Sequence, residues 1–194
     1  MATTGARTNA CLFISTSSGG YSAPGSVNDS VAQNPLGTIL TVYETLNFDP
    51  GQHSRSYRYV QLHSGATAAK GALVIWQDFF TNVVTTVSTN STNRNFVAGF
   101  LQSASITAGN FCFILVKGPG VVLVENASTV TAGEQIISGA TTTGRADRIA
   151  VATAATTGPW GVYISAKNAV VNGSTALGTD VAAAYVIVPQ PADY

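Results

Sequence analysis

From Leu36 onward the apolar residues of this chain come in short bursts, rich in Val, Ile, Thr, Tyr and Phe. Gly, Pro, Asn and Ser interrupt each burst before a helical period can establish itself. Ten segments read as strands: Thr38–Tyr43, Ser56–His63, Ala72–Trp76, Thr81–Ser88, Phe96–Leu101, Phe111–Val116, Val121–Val124, Glu134–Ile137, Gly161–Ser165 and Ala184–Val188. So many short strands predict an all-β domain, an antiparallel β-sandwich or a β-barrel-like fold. The stretch with most helical character is Ala150 to Thr157, and its threonines oppose a helix.

Side-chain alternation divides Tyr57–His63 into two faces, Val60 and Leu62 on one and Tyr57, Tyr59, Gln61 and His63 on the other. The second face is expected to be wet or interfacial. Phe111–Val116 is apolar on both faces and suits the middle of a packed sheet. Three turns echo one another: Thr67-Ala68-Ala69-Lys70-Gly71, Ile106-Thr107-Ala108-Gly109 and Val130-Thr131-Ala132-Gly133 each precede a strand, with glycine offering the positive φ such a turn needs.

With 194 residues and 45% hydrophobic content, the chain can fill one ordinary core, placed at residues 35–188. Before it, residues 1–34 are rich in Ser, Thr, Gly and Asn, with one apolar island at Leu12, Phe13 and Ile14 and a single Tyr21. They read as an extended N-terminal arm, ordered only by lying on another surface. After it, residues 189–194 form a tail, since Pro189 and Pro191 bar a central strand and Tyr194 is left to touch a neighbour. Nine basic and nine acidic residues cancel and form no basic cluster, so nucleic acid is not an expected partner. No segment has the length and apolarity of a membrane helix or the pattern of a secretion signal, so no membrane partner is expected either. Low charge, 9% of residues, gives little self-repulsion, a property suited to a subunit in an assembly.

The order of short blocks along the chain resembles the head decoration, or capsid cement, proteins of tailed bacteriophages. The resemblance opens with Leu36-Gly37-Thr38, Tyr57-Arg58-Tyr59-Val60-Gln61, Ser64-Gly65-Ala66 and Ala72-Leu73-Val74. It continues through Phe96-Val97-Ala98-Gly99-Phe100, Ile106-Thr107-Ala108-Gly109, Lys117-Gly118-Pro119-Gly120-Val121 and Thr131-Ala132-Gly133-Glu134. Arg145 to Ile149, Gly161-Val162-Tyr163 and Tyr185-Val186-Ile187-Val188 complete it. The resemblance implies a minor capsid protein, a virion protein on the outer capsid surface. Its partners would be the major capsid protein and its own copies, as a homotrimer. The leader before Pro35 is longer than that pattern expects.

The chemistry-bearing residues point the same way. Gly118-Pro119-Gly120 lacks the residues of a phosphate loop and reads as a turn between strands. His53 and His63 are the only histidines, the carboxylates are dispersed, and Cys11 and Cys112 have no metal-ligand spacing. Cys112 reads as a core residue, and a bridge to Cys11 stays open. No catalytic, cofactor or metal residue is therefore assigned, and no enzyme activity is expected. The candidate interface residues are Leu12, Phe13, Ile14, Tyr21, Tyr57, Tyr59 and Tyr194, with Trp76, Phe79 and Phe80 read as core. The alternative function is an adhesin or carbohydrate-binding module, with Trp160, Trp76 or Tyr57 stacking on sugar rings.

Overall fold

The computed structural model describes residues 24–46, 49–66, 68–86, 96–102, 106–125, 128–139, 144–149, 160–171, 175–177 and 179–189. A single 3-10 turn at Pro24–Ser26 leads into strands β1 (Ile39–Leu46), β2 (Asp49–Leu62), β3 (Leu73–Asp78), β4 (Val83–Thr85), β5 (Val97–Phe100) and β6 (Phe111–Leu123). After them come β7 (Gln135–Ser138), β8 (Ala146–Ile149), β9 (Gly161–Tyr163), β10 (Val170–Val171), β11 (Thr175–Ala176) and β12 (Val181–Ile187). The all-β expectation holds, and among the described residues there is no α-helix. The stretch considered for one, 150–157, lies outside them.

One sheet runs in the order β1-β2-β4-β3-β5-β6-β12-β9-β7-β8, and a further pairing of β2 with β6 closes β2, β4, β3, β5 and β6 into a five-stranded barrel. Pairings between strands are antiparallel except β2–β4. A buried cluster with members from every barrel strand, among them Val60, Val84, Val74, Ala98, Cys112 and Ile114, fills the ring. A second cluster lies on the opposite faces of β2, β3, β5 and β6, with Tyr57, Tyr59, Phe100, Phe113 and Leu115. It continues through Ala182, Ala184 and Val186 of β12 to Tyr163 and Ile136. The barrel wall is thus apolar on both sides, as Phe111–Val116 predicted for β6.

The echoed turns behave as expected: Gly71, Gly109 and Gly133 have φ of 81°, 87° and 93°, each two residues before a strand. Gly118-Pro119-Gly120 does not. Instead of connecting two strands it lies within β6, which runs unbroken from Phe111 to Leu123. At Lys117 the strand passes from one partner to another, pairing with Ser56 of β2 and with Ile187 of β12. A register shift between Ser56 and Tyr57 marks the spot. Gly118 absorbs it with φ 106°, and a Cβ there would stand 2.5 Å from the Ser54 carbonyl oxygen. Three further strands went unpredicted. β8 carries Asp147 and Arg148 at a sheet edge, where charge is tolerated, and β10 and β11 form a two-residue hairpin.

The segment assigned to the arm is in part packed on the barrel. Val27 and Asn34 are buried, and Asp29 forms a β-bridge with Phe111. Residues 1–23, with Cys11, Leu12, Phe13, Ile14 and Tyr21, and the end of the tail, with Tyr194, lie outside the described residues.

Candidate functional site

Tyr57 and Tyr59, expected on an interfacial face, are both buried in the core, at 1% and 0% exposure. The alternation within the strand holds, but both faces are covered around the tyrosines, and only Gln61 and His63 at the strand's end stay half-buried. The Tyr59 hydroxyl donates to Asp29 Oδ2 at 2.7 Å and accepts from the Gln33 N–H at 3.1 Å, so it fastens the packed leader to β2. Burial and then the hydrogen bond to Asp29 push its pKa up. The Arg55 guanidinium lies over the Tyr57 ring, 5.0 Å from its centroid. Neither tyrosine ring is exposed on the surface of the chain.

An exposed aromatic surface lies instead at the turn from β3 to β4, where Phe80 is the most exposed of the large apolar side chains among the described residues. Asp78 Oδ1 accepts from the N–H groups of Phe80 at 2.9 Å and Thr81 at 3.4 Å. The Thr81 side-chain hydrogen bond first, and these backbone bonds after it, hold the Asp78 carboxyl below the usual range. Asn82 takes φ 55° and its carbonyl accepts from the Gln61 N–H on β2 at 3.1 Å. Its side-chain oxygen accepts from Arg58 Nη2 at 2.9 Å, while that guanidinium covers the Trp76 ring at 5.1 Å. Phe79 meets Trp76 edge-on at 5.5 Å, and Phe80 meets Phe79 at 5.6 Å. Trp76 is buried as expected, but Phe79 is exposed and Phe80 is 91% exposed, contrary to their reading as core. The turn-forming Asp78 and Asn82 on either side were the available signal that the intervening phenylalanines leave the strand.

A second apolar surface arises from β12 and β9. Along β12, Ala182, Ala184 and Val186 face the core, while Val181 and Ala183 pack under Leu177, next to the β10–β11 hairpin. Beyond that cover Tyr185 and Ile187 are exposed, and Tyr185 pairs with the exposed Val162 of β9, near the exposed Ile164.

No family model matches the chain, and no curated protein matches it. Among solved structures it is similar to a chain of "The capsid of Myoviridae Phage XM1". The identity is 16% and the TM-score 0.42, over 84% of this chain and 98% of that one.

The ionisable groups form structural ties. Asp180 joins Arg145 at 3.1 Å and Lys167 at 3.4 Å, clamping the turn before β12 to the entry of β8. Arg148 pairs with Glu134, whose carboxylate also accepts from the Thr131 N–H at 2.7 Å. Cys112 is fully buried and unbridged in the barrel core, its thiol pushed up to about 12 by desolvation. Among the described residues no group of His, Cys, Asp and Glu is placed to hold a metal ion. Of the residues considered for stacking on sugars, Tyr57 and Trp76 are buried and Trp160 packs half-buried against the core.

Proposed function

We propose that this chain is a structural virion protein of a tailed bacteriophage that decorates the outer capsid surface. As an oligomer, it would bind across junctions between major capsid proteins. The class of partner comes from the resemblance of the blocks between Leu36 and Val188. The observation that carries a docking role is the β3–β4 turn, where hydrogen bonds from the Phe80 and Thr81 N–H groups to Asp78 and contacts to Asn82 hold Phe80 out in water. Burying a phenylalanine is worth roughly 1.5–3 kcal/mol, and a turn already held in place loses little entropy on binding. The apolar patch of Tyr185, Ile187, Val162 and Ile164 adds area on a rigid sheet. Modest contacts of this kind, repeated over a lattice, stabilise a shell by avidity without any chemistry. The burial of Tyr57 and Trp76 counts against the sugar-binding alternative.

Co-sedimentation with capsid shells lacking the protein tests this reading. Saturable binding at a constant ratio to the major capsid protein is expected. Failure to bind such shells at any concentration overturns it.

A further inference from the structure

We propose that β1 is a self-recognition edge, pairing antiparallel with the β1 of a second copy about a two-fold axis through Thr41. Among the described residues the sheet ends at β1 and at β8. The β8 edge is four residues long and carries Asp147 and Arg148, the usual protection against stray pairing. β1 has eight residues, Ile39 to Leu46, with no proline, no basic residue and one carboxylate, Glu44. Its only register shift comes at Thr45/Leu46, so the stretch before it is regular.

The ladder shows which backbone groups are on offer. Tyr59 N–H donates to the Thr38 carbonyl at 2.9 Å, and Ile39 pairs with Arg58. Antiparallel alternation then turns the N–H and C=O of Ile39, Thr41 and Tyr43 away from β2. The same residues have exposed side chains, with Tyr43 at 75%, while Leu40 is buried and Val42 packs against the core.

The pattern is self-complementary. In a two-fold register centred on Thr41, Ile39 lies opposite the partner's Tyr43, Thr41 opposite the partner's Thr41, and Leu40 opposite the partner's Val42. β-branched with aromatic and Thr with Thr are favourable cross-strand pairs. Glu44 falls opposite the partner's Thr38, so the strand's one charge does not meet its own copy. The occupant of this edge is therefore a second copy of the chain, in an isologous contact that buries both open edges at once. This contact rests on β1 alone and stands or falls independently of the virion reading.

The test is the solution mass of the full chain and of two charge variants, Thr41→Lys and Thr41→Glu, by light scattering. The wild type is expected at the mass of two protomers. Either variant places like charges opposite each other at the axis and is expected at half that mass, and mixing the two restores the larger mass. A wild type that stays monomeric, a mass of three protomers unaltered by either variant, or a mixture that remains monomeric overturns the proposal. Thr41→Cys in a Cys11→Ser background gives an independent reading: mild oxidation is expected to link two chains through the two sulfurs that face each other across the axis, and no linked species overturns it.

Discussion

The side-chain amide of Gln102 pairs with the backbone of Val121 as a neighbouring strand would: Oε1 accepts from the Val121 N–H at 3.1 Å and Nε2 donates to its carbonyl at 3.2 Å. Arg55 Nη2 donates to the same Oε1 at 3.1 Å. Val121 is buried, so Gln102→Ala strands a backbone donor and acceptor away from water. The expected cost is about 1–3 kcal/mol, read as a lower urea midpoint with an unchanged slope.

Gly118→Ala is expected to be of similar severity for a different reason. The new Cβ collides with the Ser54 carbonyl, and φ of 106° is foreign to alanine. A loss of about 1–3 kcal/mol should appear in chemical unfolding, with faster amide exchange along β2 and β6 near Ser56 and Lys117.

Two truncations should differ sharply. Removing residues 1–23 is expected to leave the barrel's thermal midpoint nearly unchanged. Removing 1–34 also takes away Val27, Asn34 and the Asp29 carboxylate on which the Tyr59 hydroxyl rests, and is expected to lower the midpoint by several degrees. Equal midpoints for both would show that the packed leader contributes nothing to the fold.

The Asp180 carboxyl is held below its ordinary value first by the hydrogen bond from Arg145 and then by Lys167. A lowered folded-state pKa stabilises the native protein above the unfolded value, and that contribution disappears as pH falls through the folded one. Asp180→Asn should therefore be less stable than wild type at neutral pH. As pH falls from about 4 through the lower folded-state value, the two denaturation midpoints should converge.

Phe80→Ser removes an exposed ring that supports nothing beyond Phe79. Stability of the free chain should move by less than about 0.5 kcal/mol. Binding to undecorated shells should weaken roughly tenfold or more, as expected for an anchor that fills a pocket. Unchanged binding would exclude the β3–β4 turn from the docking surface.

The strands were legible in the sequence wherever β-branched and aromatic residues meet a glycine turn, as at Ala72–Trp76 and Phe111–Val116. What escaped was everything set by distant parts of the chain. The faces of Tyr57–His63 were sorted correctly, yet sequence alone does not reveal that a second core covers the tyrosines. Gly118-Pro119-Gly120 looked like a turn because local chemistry favours one, and only the change of partner from β2 to β12 keeps it extended. Phe80 looked like core because hydropathy ignores direction. The exposure of Tyr185 and Ile187 depends on how far the cover over Val181 and Ala183 reaches.

Because β6 belongs to the barrel along one half and to the β12 side along the other, it acts as a common spar. Force applied at the outer strands is carried along a continuous backbone into the closed ring, with no hinge between the two parts. Heating should accordingly melt both in one cooperative step, and a mechanical pull on either half should meet the resistance of the whole.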